Sequence, residues 1–78
     1  MKVKETEEVI KYLTKRGITR RYVSAKLMIE SGHGDKVRLK KMAPKSSNVW
    51  YFRITQKYRA LASIKNDVLV VFEIWDHQ

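Results

Sequence analysis

The last thirty residues alternate between apolar and polar side chains over three successive segments, and this alternation limits the fold more than any other feature of the chain. The apolar positions on one side of the three segments are Trp50, Phe52 and Ile54, then Tyr58, Ala60, Ala62 and Ile64, and finally Val68, Val70, Phe72 and Ile74. Successive side chains of a strand point to opposite faces of a sheet. Three such segments in a row therefore predict an antiparallel meander with one buried face.

A first helix is predicted over residues 6–17, TEEVIKYLTKRG. Thr6 is suited to the N-cap, two glutamates follow it, and Lys15 and Arg16 precede Gly17. An acidic start, a basic end and a terminal glycine match the helix dipole and the usual C-cap.

A second helix is predicted over residues 19–32, TRRYVSAKLMIESG, with Thr19 as the N-cap and Gly32 as the terminating residue. Its buried side is predicted to consist of Tyr22, Val23, Leu27 and Ile29. Only a short connection separates the two helices, which is typical of an αα-hairpin.

The remaining segments complete the domain. Residues 36–42, KVRLKKM, are predicted to form a strand, and residues 43–48 a loop around the only proline. Residues 1–4 are either a short edge strand or a frayed end. The predicted fold is α+β, a two-helix hairpin packed on one face of a small antiparallel sheet of about four strands. Residues 1–78 are expected to be one domain, whose small core is marginal unless a partner adds to it.

Charge is the strongest global property of the chain. Seventeen Lys and Arg residues against eight Asp and Glu give a net charge of +9, and the isoelectric point is near 10.1. A positive field of this size attracts polyanions. The predicted partners are therefore nucleic acid, the ribosome or an acidic protein.

The residue types that are missing exclude several classes of protein. There are no cysteines, so disulfide frameworks and thiolate zinc sites are excluded, and His33 and His77 alone make no recognisable metal site. No apolar run reaches the roughly 18 residues of a membrane span, and the N-terminus lacks the apolar core of a secretory signal. We therefore expect a cytoplasmic protein with no metal or other cofactor.

Arg53 and Arg59 flank a short predicted turn. If residues 55–57 form a three-residue hairpin loop, Ile54 pairs with Tyr58 and the two arginines lie directly opposite each other. Like charges in opposed positions destabilise a sheet. This placement predicts an anion beside the two arginines, either a phosphate or a neighbouring carboxylate.

The second hairpin decides whether the chain supplies that carboxylate itself. A three-residue loop at residues 65–67 places Arg59 opposite Glu73, either as an ordinary ion pair or as part of a site. The concave site gathered by this register consists of Arg53, Arg59, Glu73 and His77. A two-residue turn at residues 66–67 places Arg59 opposite Ile74 instead. The sequence leaves both registers open.

The run VWYFRITQKYRALASIKNDVLVVFEIWDHQ, behind a two-helix hairpin and an RLKK segment, resembles the RelE/ParE toxin superfamily and within it the YoeB-like branch. The shared features are the aromatic and Trp start, the R-I-T-x-x-x-R hairpin and the histidine one position before the final residue. The resemblance implies a toxin of a type II toxin–antitoxin pair that enters the ribosomal A site and cleaves mRNA there without a metal. The implied partners are a small acidic antitoxin, the ribosome and mRNA, and a homodimer is a further candidate assembly.

The resemblance also implies roles for individual residues. Arg59 matches the arginine that stabilises the pentavalent phosphate, His77 matches the proposed general acid, and Arg53 is a supporting phosphate contact. With Glu73 as a candidate base, these residues form the expected catalytic set. The basic surface expected to contact RNA and the ribosome comprises Arg20, Arg21, Lys26, Arg38, Lys40, Lys41, Lys45 and Lys57.

Two departures from the YoeB-like branch leave the activity open. That branch has a glutamate general base where this chain has Val37 and Arg38, and a terminal tyrosine where this chain has Gln78. The candidates to replace the base are Asp35, Glu73, Lys40 and Lys41. The alternative functions are a ParE-like toxin that inhibits DNA gyrase without catalysis, and a degenerate toxin or basic RNA-binding module without activity.

An antitoxin also requires an apolar surface to cover. The alternation predicts such side chains on the second sheet face, at Tyr51, Leu61, Leu69, Val71 and Trp75. If the chain itself leaves them exposed, they mark an interaction surface.

Overall fold

The computed structural model describes residues 1–76, which form two helices and a five-stranded sheet. In chain order the elements are β1 (Lys2–Glu5), α1 (Glu7–Arg16), α2 (Thr19–Glu30), β2 (Lys40–Lys41), β3 (Trp50–Arg53), β4 (Tyr58–Lys65) and β5 (Val68–Asp76), with a 3₁₀ turn at Gly34–Val37. The strand order in the sheet is β1-β5-β4-β3-β2. The predicted α+β class is confirmed. Neither helix in this part of the chain is long and apolar enough to span a membrane.

The sheet is mixed and has five strands, where the sequence predicts an antiparallel sheet of about four. The extra strand is β1, which runs parallel to β5 with Lys2 beside Val68. A parallel pair needs a long connection, and the rest of the chain between β1 and β5 provides it. On the other side of β1, the backbone N–H of Val3 donates to the carboxylate of Glu30 at 3.0 Å. This bond occupies a donor at the outer edge of the sheet.

α1 forms where the sequence predicts it. The Oγ1 of Thr6 accepts a hydrogen bond from the backbone N–H of Val9 at 3.2 Å, so the predicted N-cap is confirmed. Gly17 ends the helix with a φ of 70°, a left-handed conformation that glycine adopts readily. Val9 and Leu13 are the buried residues of this helix.

α2 differs from the prediction in its start and in its buried side. Thr19 is the first helical residue and not the N-cap, a position that Ile18 takes without a side-chain hydrogen bond. The buried residues are Tyr22, Ala25 and Ile29. The predicted burial of Val23 and Leu27 is wrong, because these two residues lie on the neighbouring stripe of the helix and are 43% and 56% exposed.

The predicted strand at residues 36–42 is reduced to β2, which has only two residues. Its first half joins the 3₁₀ turn, in which the N–H of Lys36 donates to the carbonyl of His33 at 3.0 Å. Arg38 then adopts a left-handed conformation with a φ of 57°, which changes the direction of the chain before β2 begins. Local hydrogen bonds of this kind compete with strand formation.

The turn between β4 and β5 has two residues. Asn66 and Asp67 have φ values of 52° and 63°, and Lys65 pairs with Val68 across them. Two consecutive positive φ angles are typical of a type I′ turn. The three-residue loop considered from the sequence is therefore wrong, and the alternative two-residue turn is correct.

A β-bulge in β5 changes the register again. Ala62 of β4 pairs with Val71. The next residue, Leu61, pairs with Glu73, so Phe72 is the extra residue. Beyond a bulge of this type, the side chains that would have faced the core face the other side of the sheet, and the reverse.

The core contains a different set of β5 residues from the predicted one. Leu69 and Val71 are fully buried, whereas Phe72 is 42% exposed. Ile74 is buried as predicted. The buried side chains of the core are Val3, Val9, Leu13, Tyr22, Ala25, Ile29, Phe52, Ile54, Ala60, Ala62, Leu69, Val71 and Ile74.

Candidate anion-binding site

The sheet face turned away from the helices carries a cavity. Arg53 and Arg59 point to this face, because their neighbours Phe52 and Ala60 point into the core. The cavity has a volume of about 530 Å³, within the range of roughly 300–1,000 Å³ that is usual for small-ligand sites. Its lining, called the basic cavity below, consists of Arg38, Lys40, Lys41, Met42, Ala43, Tyr51, Arg53, Arg59 and Trp75.

The basic cavity carries charge of one sign. Five of its nine described lining residues are Lys or Arg, and none of the nine is Asp, Glu or His. Cations grouped in this way repel one another, and an anion among them relieves the repulsion. Tyr51 and Trp75 add two aromatic side chains to the wall. The arrangement is therefore suited to a phosphate that carries an aromatic group.

The predicted opposition of Arg53 and Arg59 is confirmed. Strands β3 and β4 pair so that the two arginines are direct neighbours. The backbone N–H of Ile54 donates to the carbonyl of Tyr58 at 3.1 Å, which closes the predicted three-residue turn between them. Both arginines are half-buried and line the same cavity.

Arg59 is anchored by the backbone of this turn. Its Nη1 donates to the carbonyls of Thr55 at 2.9 Å, Gln56 at 3.2 Å and Tyr58 at 3.4 Å. These bonds come from one nitrogen of a planar group that has five N–H donors. The turn therefore fixes the position of the guanidinium at the cavity wall.

The predicted pairing of Arg59 with Glu73 is wrong. Arg59 pairs with Trp75. The two-residue turn shifts the register by one residue and the bulge at Phe72 shifts it by one more, and sequence reasoning considered only the first shift. Glu73 is exposed and is not among the described residues that line the cavity.

Trp75, like Tyr51, is a cavity residue that sequence reasoning assigned to a different role. The alternation groups it with Leu69 and Val71 as apolar surface for a partner, but those two residues are buried in the core. The type I′ turn has a recognisable signal, since Asn and Asp tolerate positive φ better than other residues with a side chain. The bulge that brings Trp75 to the cavity has no such signal.

The predicted RNA-binding residues fall into two groups. Arg38, Lys40 and Lys41 line the basic cavity. Lys26 does not, because its Nζ lies 3.1 Å from the carboxylate of Glu5 on the helical side of the molecule.

The other basic residues of the predicted set lie away from the basic cavity. Arg20 and Arg21 are exposed on α2, and Lys45 is exposed in the loop before β3. The Nζ of Lys57 lies 3.7 Å from a carboxylate oxygen of Asp76. None of these four residues is part of the described lining of the basic cavity.

The proton-transfer residues of the predicted site are only partly described. His77 and Gln78 lie outside the described residues. Asp35 is exposed in the 3₁₀ turn and, like Glu73, is not part of the described lining. Lys40 and Lys41 are thus the candidate bases on the described wall. Residues 1–76 contain no group of three His, Asp or Glu side chains arranged to hold a metal ion.

Known proteins offer a likeness in structure only. No protein family and no curated protein matches the sequence. The fold matches a solved YoeB dimer and a solved YoeB–YefM complex, both from Staphylococcus aureus, each with a TM-score of 0.71 and 10% sequence identity. Each match covers 100% of this chain and 98% of the other chain. The fold predicted from the resemblance, that of the YoeB-like branch, is therefore confirmed.

Proposed function

We propose that this protein is the toxin of a type II toxin–antitoxin pair and that it cleaves mRNA on the ribosome in the cytoplasm. The observation that carries the proposal is the basic cavity, in which five cations and two aromatic side chains lie on a sheet of the YoeB fold. A polyanionic substrate with aromatic bases fits this combination of charge and surface. Such binding is expected to weaken steeply as the salt concentration rises.

The proposed reaction is attack of a 2′-hydroxyl of the RNA on the adjacent phosphate. The P–O2′ bond forms while the bond from phosphorus to the 5′-oxygen breaks, which leaves a 2′,3′-cyclic phosphate and a free 5′-hydroxyl. A base takes the proton of the 2′-hydroxyl, and an acid gives a proton to the leaving 5′-oxygen. Negative charge accumulates on the phosphate oxygens in the transition state.

Arg53 and Arg59 are proposed to stabilise that charge. A guanidinium presents a planar set of donors that matches the geometry of a phosphate. Because three turn carbonyls already orient Arg59, little reorganisation is needed when the charge develops. Removing one such donor typically costs about a hundredfold in rate or more.

The proposed general acid, which gives a proton to the leaving 5′-oxygen, is His77. This assignment rests on the resemblance and on the general suitability of an imidazole for proton transfer near neutral pH. The proposed base is Lys40 or Lys41. This assignment follows from position, since both lysines line the cavity while Asp35 and Glu73 do not. Of the two residues that stand where the YoeB-like branch has its glutamate, Val37 packs against the core and Arg38 lines the cavity.

The partner in the proposed pair is a small acidic antitoxin. Two residues of the apolar patch predicted on the sheet, Leu69 and Val71, are buried, and two others, Tyr51 and Trp75, line the basic cavity. Ile10, Val23 and Leu27 are instead exposed on the helices, and the first two line a groove between α1 and α2. An acidic amphipathic segment complements this apolar surface on a chain of net charge +9. A homodimer through the same surface is the competing assembly.

The decisive experiment measures mRNA cleavage on programmed ribosomes by the wild type and by Arg59→Ala and His77→Ala. We expect cleavage that requires ribosomes and falls by at least about a hundredfold in each variant, roughly 2.7 kcal/mol of transition-state stabilisation. The matched control is Lys65→Ala, which removes an exposed cation at the far end of the same strand as Arg59 and leaves the cavity intact.

Circular dichroism spectra of all four proteins confirm that each is folded. If a folded wild type cleaves nothing, the endonuclease proposal is wrong. Ribosome binding without cleavage then identifies a non-catalytic RNA-binding protein, and inhibition of purified DNA gyrase identifies a ParE-like toxin.

A further inference from the structure

Trp75 and the two arginines of the basic cavity lie in one row across the sheet. Trp75 of β5 pairs with Arg59 of β4, and Arg59 pairs with Arg53 of β3. Neighbouring strands are about 4.8 Å apart, so the backbone of Trp75 lies about one strand spacing from that of Arg59 and about two from that of Arg53. An aromatic group and two anion-binding groups therefore line the same cavity.

The position of Trp75 depends on the bulge. If Phe72 took a regular place in the ladder and no bulge formed, the two-residue turn would bring Ile74 opposite Arg59 and would turn Trp75 toward the core. Bulges next to functional sites commonly redirect one side chain. Trp75 is 43% exposed, an unusual situation for an indole in a domain with so small a core.

We infer that the basic cavity binds one unpaired nucleotide, with its phosphate at Arg53 and Arg59 and its base stacked on the indole of Trp75. The inference rests on the proposed function and adds to it the form of the substrate. Every nucleobase has a flat face, so stacking tolerates all four bases but requires a base that is not paired in a duplex. The site therefore selects single-stranded RNA, and Trp75 discriminates little between the four bases.

The test is a binding measurement that does not depend on cleavage. The probe is a fluorescein-labelled single-stranded RNA of six nucleotides, and fluorescence anisotropy gives its Kd with the wild type. A second probe of the same length and charge carries abasic sugars in place of nucleotides, and a third is the RNA paired with its complement.

The critical variant is Trp75→Ala, and its matched control is Phe72→Ala. Phe72 lies three residues earlier on the same strand, is 42% exposed against 43% for Trp75, and does not line the cavity. Both variants remove an exposed aromatic side chain, but only one removes a cavity wall. Trp75→Phe restores a smaller aromatic face at the same position.

We expect the wild type to bind the single-stranded RNA more tightly than the abasic or the paired probe. Trp75→Ala should lose roughly five- to a hundredfold in affinity for the single strand, the range expected for one base stacked on one ring. Its affinity for the abasic probe and its dependence on salt should not change. Phe72→Ala should bind as the wild type does, and Trp75→Phe should recover part of the loss.

The outcomes separate this inference from the proposed function. Equal binding of the single strand by the wild type and Trp75→Ala, with weaker binding by Arg53→Ala, overturns the stacking inference and leaves the proposed function standing. An equal loss in Phe72→Ala and in Trp75→Phe also overturns it, since the effect would then come from the strand and not from an aromatic face at position 75. If the wild type binds none of the three probes, even at low salt, the inference fails, and ribosome cleavage decides the proposed function separately.

Discussion

Each face of the sheet has a region in which charged and aromatic side chains lie together. On the helical face, the hydroxyl of Tyr22 donates to the carboxylate of Glu5 at 2.7 Å, and Lys26 donates to the same carboxylate at 3.1 Å. One anion there serves two donors from the same chain. On the opposite face, the described lining of the basic cavity has five cations and no anion.

The difference indicates what each region contributes. Polar groups that satisfy one another within the chain connect β1 to α2 and contribute to stability, because each would be costly to leave unpaired in a partly buried position. Cations that share a cavity without a carboxylate oppose folding and are useful only to a ligand. Substitutions in the first region should therefore change stability, and substitutions in the second should change function.

The largest effect is expected from Arg53→Ala in the basic cavity. Loss of a phosphate ligand should lower ribosome-dependent cleavage by about a hundredfold. Stability should stay constant or rise by a few tenths of a kcal/mol, because the directly opposed charge of Arg59 loses its like-charged neighbour. Cleavage assays and urea unfolding of the same preparations measure both quantities. A variant that loses activity because it unfolds would contradict the distinction between the two regions.

A smaller effect of the opposite kind is expected from Glu5→Ala. The change leaves the hydroxyl of Tyr22 and the ammonium of Lys26 without their shared acceptor, and both groups are at least partly buried. We expect the free energy of unfolding to fall by about 1–2 kcal/mol, while the affinity for RNA stays the same. Glu8→Ala, an exposed carboxylate in the first turn of α1, is the control for loss of one negative charge. A similar fall in both variants would mean that the hydrogen bonds contribute little.

The smallest expected effect is a dependence of stability on pH that comes from Tyr22 in the first region. Burial, and next the hydrogen bond to Glu5, raise the pKa of the Tyr22 hydroxyl above its ordinary value of 10.0. The contribution of this group to stability is therefore complete below pH 10 and decreases above it, because the unfolded chain releases the proton while the folded chain retains it. The decrease is at most about 1.4 kcal/mol per pH unit.

Urea unfolding of the wild type and Tyr22→Phe between pH 9 and pH 11 measures this contribution. The stability of the wild type should fall more steeply than that of the variant over this interval. If the stabilities of the two proteins fall in parallel, the phenol ionises equally in the folded and unfolded states. The hydrogen bond from Tyr22 to Glu5 would then make no pH-dependent contribution to stability.

Local sequence signals predicted much of the fold and the direct opposition of Arg53 and Arg59. The N-cap at Thr6 and the stop at Gly17 depend on residues within one helix, so they were correct. The opposition of Arg53 and Arg59 depends on one short turn, and it was correct for the same reason.

The errors lie where distant parts of the chain decide the structure. The burial of α2 depends on how the helix rotates against the sheet, and Val23 was therefore misassigned. The bulge at Phe72 depends on packing between β5 and its neighbours, so the partner of Arg59 was missed. Glu73 was included in the site because a three-residue loop was considered at residues 65–67, and Trp75 was left out of it because the bulge was not predicted.

The bulge at Phe72 also has a consequence for comparing this chain with its relatives. Deletion of this single residue would remove the bulge but leave Ile74 opposite Ala60 in the core and Trp75 opposite Arg59 at the cavity, so a relative one residue shorter at this point can keep the same site. An alignment that places a gap on the wrong side of position 72 would match core residues with site residues. The identity to the YoeB structures is only 10%. Equivalent residues near the end of the two chains should therefore be assigned by superposing the strands and not by sequence alignment.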